Sequence, residues 1–141
     1  MAPEQTPDDF NWVDAQANCN AASMFVRLQA GVVQDVRRRN GLLGRNDGLT
    51  FEVYEDTGEF EVTRVVAPGS RGSDAAVKFQ HAGRRIHVHS EDVDVDFTAV
   101  VALDTTGVCR FVVGEAIYSE WEIRRMALEH LFFEEEEASS D

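Results

Sequence analysis

The side chains with the most chemical potential are two histidines, His87 and His89, one residue apart. In a strand, positions i and i+2 share a face. Two acids follow at Asp94 and Asp96. Pairing His89 with Asp94 across a four-residue loop would set His87 against Asp96. Imidazoles beside carboxylates on adjacent strands can ligate a divalent transition metal. They can equally form charge pairs on a wet sheet face, and that is the expectation here. Lys78, Gln80 and Arg85 fall on the same face, where positive neighbours oppose a cation, and an HxH pair lacks a fixed third ligand. No metal and no cofactor are expected, and His87, His89, Asp94 and Asp96 stand as weak metal candidates.

Other motifs carry less. Asp56-Thr57-Gly58 spells the aspartic-protease triad, a mechanism that needs two such carboxylates sharing a proton in a shielded cleft. Glu55 and Glu59 flank it, and Asp and Gly are ordinary turn residues, so a hairpin tip is expected. Cys19 and Cys109 lie 90 apart with no CxxC or Cys/His zinc spacing. They are expected as buried, reduced thiols, although nothing excludes a disulfide between them. A nucleophilic cysteine needs an exposed electropositive setting, and neither position suggests one. Arg37, Arg38 and Arg39, with Arg45 nearby, could meet phosphates. They also complement the dipole at the end of a helix, and that reading is favoured. The SRGS run at 70–73 lacks phosphate-loop spacing and precedes a strand, so it reads as a plain loop. No catalytic residue is expected.

These residues need elements to hold them. Residues 1–8 are read as a disordered arm. A long helix is expected over 9–39, capped by Asp9 and ended by Asn40-Gly41. At 100° per residue, Phe10, Ala17, Ala21, Met24, Phe25, Leu28, Val32 and Val36 form one stripe. Trp12, Ala15, Cys19, Ala22, Val26 and Val33 form a second. From Gly48 the period becomes two. Hairpins are expected to pair Val53 with Phe60, Val77 with Val88, and Leu103 with Cys109, giving six antiparallel strands. Ser119 and Glu122 make a capping box for a last helix. Ile123, Met126, Ala127, His130 and Leu131 share one face of it, and Trp121, Leu128 and Phe132 another. Residues 134–141 read as an acidic disordered tail. The fold class is α+β: a single domain over 9–133, with both helices on one face of the sheet.

The chain has 141 residues and a formal net charge of −13, which argues against nucleic-acid binding. No apolar run is long enough to span a membrane. The start, MAPEQTPDDF, has neither a basic flank nor an apolar h-region, so a cytoplasmic location is expected. Twelve of the 13 bases are Arg and only Lys78 is Lys. A GC-rich genome favours Arg, and a salt-accumulating halophile favours carboxylates over ammonium groups, since molar salt screens their repulsion. Residues 10–133 hold 18 acids and 13 bases, so most of the excess belongs to the two ends.

In gross layout over residues 10–133 the chain resembles small acidic secretion chaperones and the related YbjN-type domains. The resemblance covers size, acidity, a first helix, an antiparallel sheet and a last helix, with no residue motif. Those chaperones place a helix within the strand series, and none is expected here between 67 and 117. The apolar excess is the stronger signal. The second stripe of the first helix, Trp121, Leu128 and Phe132 on the last, and Val100, Ala102 and Val112 on the outer sheet face exceed what one sheet face needs. The expectation is a non-catalytic interaction domain, a homodimer binding a protein or peptide through Trp12, Val26, Val33, Val100, Val112, Trp121, Leu128 and Phe132. The alternatives are burial of those stripes helix against helix, and a small-molecule pocket between sheet and helices containing His81, His130 or Cys109.

Overall fold

The computed structural model describes residues 10–43, 48–68 and 74–138, with side chains to 133. The arm, Asp9, Arg45, the SRGS run and residues 139–141 lie outside what is described, whereas residues 134–138 of the expected disordered tail continue the last helix. Two helices come first, α1 (Trp12–Asn18) and α2 (Ala21–Leu42). Seven strands follow: β1 (Leu49–Asp56), β2 (Glu59–Val66), β3 (Ala75–Ala82), β4 (Arg85–His89), β5 (Asp96–Leu103), β6 (Cys109–Val113) and β7 (Ala116–Tyr118). Helix α3 (Glu120–Ala138) closes the chain. The sheet is a pure antiparallel meander, β1-β2-β3-β4-β5-β6-β7. Both long helices pack on one face of it.

The expected single first helix is broken at Cys19. Asn20 is extended (φ −139°, ψ 161°), and its side-chain oxygen accepts from the Ser23 N–H at 2.8 Å. That bond restarts the helix by satisfying a free donor of its first turn. Asn11 caps α1 in the same way, through the Asp14 N–H. At the far end Asn40 does not stop α2. Its amide donates to Phe51 O and accepts from Phe51 N, both at 2.9 Å, stapling the helix to β1. The helix therefore runs through Gly41 to Leu42.

The first stripe of α2 is the buried one: Ala21, Met24, Phe25, Leu28, Val32 and Val36. It meets alternate residues of the strands, among them Phe60, Val62, Val77, Phe79, Ile86 and Val88. Phe60 stacks on Phe79 at 4.4 Å and sits 5.1 Å from Phe25. From α3, Ile123, Ala127, Leu128, Leu131 and Phe132 complete the core.

Three hairpins are shifted by two residues from the expected register. Val53 pairs with Val62, Phe79 with Val88, and His89 with Asp96. A shift of two preserves the faces, so the alternation could not detect it. The first hairpin tip, Thr57-Gly58, is two residues shorter than the expected 55–58 loop, and the second is the same length as expected but moves by one residue, from Ala82-Gly83 to Gly83-Arg84. Gly58 and Gly83 take positive φ there. Leu103 does pair with Cys109. The strand missed in the sequence is β7, three residues long.

The β5–β6 tip is organised by Asp104. One carboxylate oxygen accepts from Thr106 N–H, Thr106 Oγ and Val108 N–H at 2.7–2.9 Å. The other takes Arg110 Nε at 3.0 Å. These donors, led by the Thr106 hydroxyl, hold its carboxyl far below the usual aspartate range. A depressed folded-state value means that the contribution is complete above the unfolded value, ~3.9, and is lost as pH falls below it. Asp104→Ala is therefore expected to flatten the fall in stability below about pH 4. Urea midpoints of both proteins, measured from neutral pH downward, check this.

Candidate interaction site

The two cysteines are not free thiols. Cys19, the C-cap of α1, is disulfide-bonded to Cys109 at the start of β6. This corrects the expectation of reduced cysteines. The pattern argument concerned chemistry at each position, and it could not see that the helix break carries Cys19 to the sheet. Helix α1 has no buried residue of its own. It is held by this bond and by Phe10, whose ring lies where a Cβ on Gly107 would be, at 2.6 Å.

The histidine pair sits on the open face of the sheet. His87 and His89 stack at 4.4 Å between ring centroids. His87 Nε2 meets Asp96 Oδ1 at 2.8 Å, across a diagonal rather than the expected direct pairing. His89 Nε2 meets Gln80 Oε1 at 3.0 Å. Asp94 joins neither ring. Among the described residues no group of three His, Cys, Asp or Glu side chains could hold a metal ion. Titration with zinc is expected to give no saturable heat, and a stoichiometric isotherm lost in His87→Ala would reverse that assignment. Asp56 lies at an exposed hairpin tip, accepting from the Thr57 N–H at 2.7 Å. His130 is exposed, while His81 lies against Phe25 with ring centroids 5.5 Å apart.

The apolar candidates divide. Leu128 (2% exposed) and Phe132 (7%) are buried within the chain, packed under α2 and against Phe51. Burial of that part of the stripe, one of the two expected outcomes, takes these two out of an external surface. Trp12, Val26 and Trp121 are exposed at 62%, 66% and 55%. Val33 is half-buried. Val100 pairs with Val112 on the outer sheet face, and Ile117 of β7 lies beside Val112. Ile117 was absent from the sequence reading because β7 was not expected.

One concavity lies between α2 and α3, a groove of about 430 Å3. Leu42 and Arg38 wall it from α2, and Trp121, Arg125 and Phe133 from α3, with Leu128 and Phe132 at its base. Position 31, at the crossing of the two helices, is glycine, and side chains of α3 occupy the space above it. A Cβ there would strike the Arg124 side chain and Glu120 Oε2. Arg124 lies over this crossing, with Nε 3.3 Å from Asp35 Oδ2 and Nη1 3.5 Å from Glu120 Oε2. Burial raises the Asp35 pKa, and the Arg124 charge works against that rise.

Two buried arginines anchor the far end of the groove. Arg39 donates from Nε and Nη2 to Phe132 O at 3.2 and 2.9 Å, and its guanidinium lies 4.4 Å from the Phe133 ring centroid. Arg64, on the core face of β2, donates to Leu131 O at 3.1 Å. Arg39 was expected as a solvated dipole partner. It is instead 9% exposed and binds carbonyls of the other helix, because α3 packs across the end of α2.

Together these features define an α+β protein: a seven-stranded meander with two helices on one face and an arginine-rich, aromatic-rimmed groove between them. No protein-family model matches the chain, and no match is found among curated proteins or solved structures. No described helix is long and apolar enough to cross a membrane.

Proposed function

We propose that the chain is a non-catalytic interaction domain, a homodimer that holds a protein or peptide through exposed helix and sheet surfaces. The observation that carries this reading is the groove rim. Leu42, Trp121 and Phe133 stand 60%, 55% and 46% exposed around one concavity. Isolated exposed apolar residues are ordinary, whereas a set gathered around a groove matches a helix-in-groove docking mode. The outer patch of Val100, Val112 and Ile117 offers a second surface for self-association.

Sedimentation velocity at tens of micromolar is expected to show a dimer, weakened by Ile117→Ser on the outer sheet patch. A monomer throughout would remove the homodimer part of the reading. A cytoplasmic location belongs to the same reading, and the disulfide weighs against it, since such bonds are rare in reducing compartments.

One observation favours small-molecule binding as a second reading. A cavity of about 690 Å3 lies beside the α1–α2 junction, with Gln16, His81 and Arg84 set among Ala21, Ala22 and Val101. Its size suits a small ligand. Protection of Cys19–Cys109 from reductant by a bound compound would support it.

A further inference from the structure

We infer that the α2–α3 groove docks an acidic amphipathic segment, read by two arginines and an aromatic rim. This rests on the interaction reading above and adds the chemistry of the occupant.

The argument is local charge. The chain carries 26 acids and 13 bases, yet the groove lining reverses that balance, with four arginines against two carboxylates. The carboxylates are already engaged. Asp35 faces Arg124 at 3.3 Å, and Glu129 pairs with Arg125 at 3.4 Å within α3. Arg124 and Arg39 are structural, one spanning the helix crossing and the other bonded to Phe132 O. Arg38 and Arg125 are exposed on opposite walls; Arg125 is paired with Glu129 only at the solvent-exposed surface, where such a pair is weak and a bound carboxylate can compete for the guanidinium. Guanidinium forks accept carboxylates in a bidentate fashion, which an ammonium cannot copy. The apolar floor between the walls is Leu128 and Phe132, with Trp121 and Phe133 rising on the rim.

A helix with one apolar row at i, i+4 and i+7 and flanking carboxylates matches this pattern. A basic segment would set its charges against Arg38 and Arg125. Nucleic acid lacks the apolar row, and the net charge of the chain repels it.

The test uses two synthetic 16-residue helical peptides with the same Leu/Trp row. One is flanked by Glu and the other by Lys. Each is followed by fluorescence anisotropy against the full chain. The Glu peptide is expected to bind at least tenfold tighter. Arg38→Glu combined with Arg125→Glu should reverse that order, and Trp121→Ala should weaken both peptides. Both substituted arginines are exposed, so the fold is expected to survive, and circular dichroism verifies it. Equal binding of the two peptides, or tighter binding of the Lys peptide to the unaltered chain, would overturn the inference.

Sedimentation of the same samples separates the two proposals. Absence of peptide binding in a dimer that Trp121→Ala dissociates would place a second copy in the groove. The interaction reading would then stand and the acidic-segment inference would fall. A monomer that binds the Glu peptide would remove self-association and leave the inference intact.

Discussion

Reduction of the Cys19–Cys109 bond is expected to lower stability by about 2–4 kcal/mol, leaving the helix and strand content in place. The cysteines are 90 residues apart, so the bond restricts a large loop in the unfolded chain. A chain-entropy account gives about 4–5 kcal/mol for a loop of that length, and measured values usually fall below it. In the native state the loss is local, because α1 buries no residue of its own and the ring of Phe10 beside it still packs at Gly107. Guanidinium unfolding of the chain with and without reductant measures the effect. Cys19→Ser with Cys109→Ser should match the reduced protein. Two titratable thiols in protein never exposed to reductant would contradict the bonded state.

A second large effect is expected at Phe60. Its ring is 1% exposed, stacked on Phe79 and tilted against Phe25. It thus joins the sheet to α2 at the centre of the core. Phe60→Ala removes that contact and leaves a cavity that backbone strands cannot fill, at a cost of about 3–5 kcal/mol. Marginal domains have only about 5–15 kcal/mol in all, so the midpoint of thermal unfolding should drop by roughly 10–20 °C. Val26→Ala on the exposed side of α2 (66% exposed) is the control. Its effect should stay within about 0.5 kcal/mol. Comparable losses in the two variants would mean that the second stripe is covered in solution, as a dimer seam would do.

The core face of α2 was legible because periodicity reports burial directly. Of the expected stripe, Ala21, Met24, Phe25, Leu28, Val32 and Val36 are buried, whereas Ala17, ahead of the helix break, is exposed and Phe10 half-buried. Strand faces were legible for the same reason. Register was not, since Val53 against Phe60 and Val53 against Val62 bury the same side chains. The β5–β6 pairing was recovered because the DTTG turn and a long apolar strand left one alignment. The disulfide depended on the helix break at Asn20, a residue equally at home inside a polar stripe. The groove was out of reach for a different reason. It depends on which helix faces meet, and that is decided by Gly31 opposite Arg124 and by Arg39 reaching Phe132 O. No spacing within either helix reports such a contact. The surplus stripe of the last helix did single out Trp121 as an apolar residue to explain, and it stands exposed on the groove rim.

The strictly sequential order of the sheet has a consequence for synthesis. Each strand can pair with the one just made, so β1 to β7 can assemble as the chain emerges. Helix α2 cannot be served so early. Its apolar stripe leaves the ribosome first, while its partners lie on the strands that follow, from β1 through Phe60 of β2 to β5. At ~5–20 residues per second, roughly 3–12 s separate residue 42 from residue 103. For that interval the nascent chain carries a greasy amphipathic helix with no sheet beneath it.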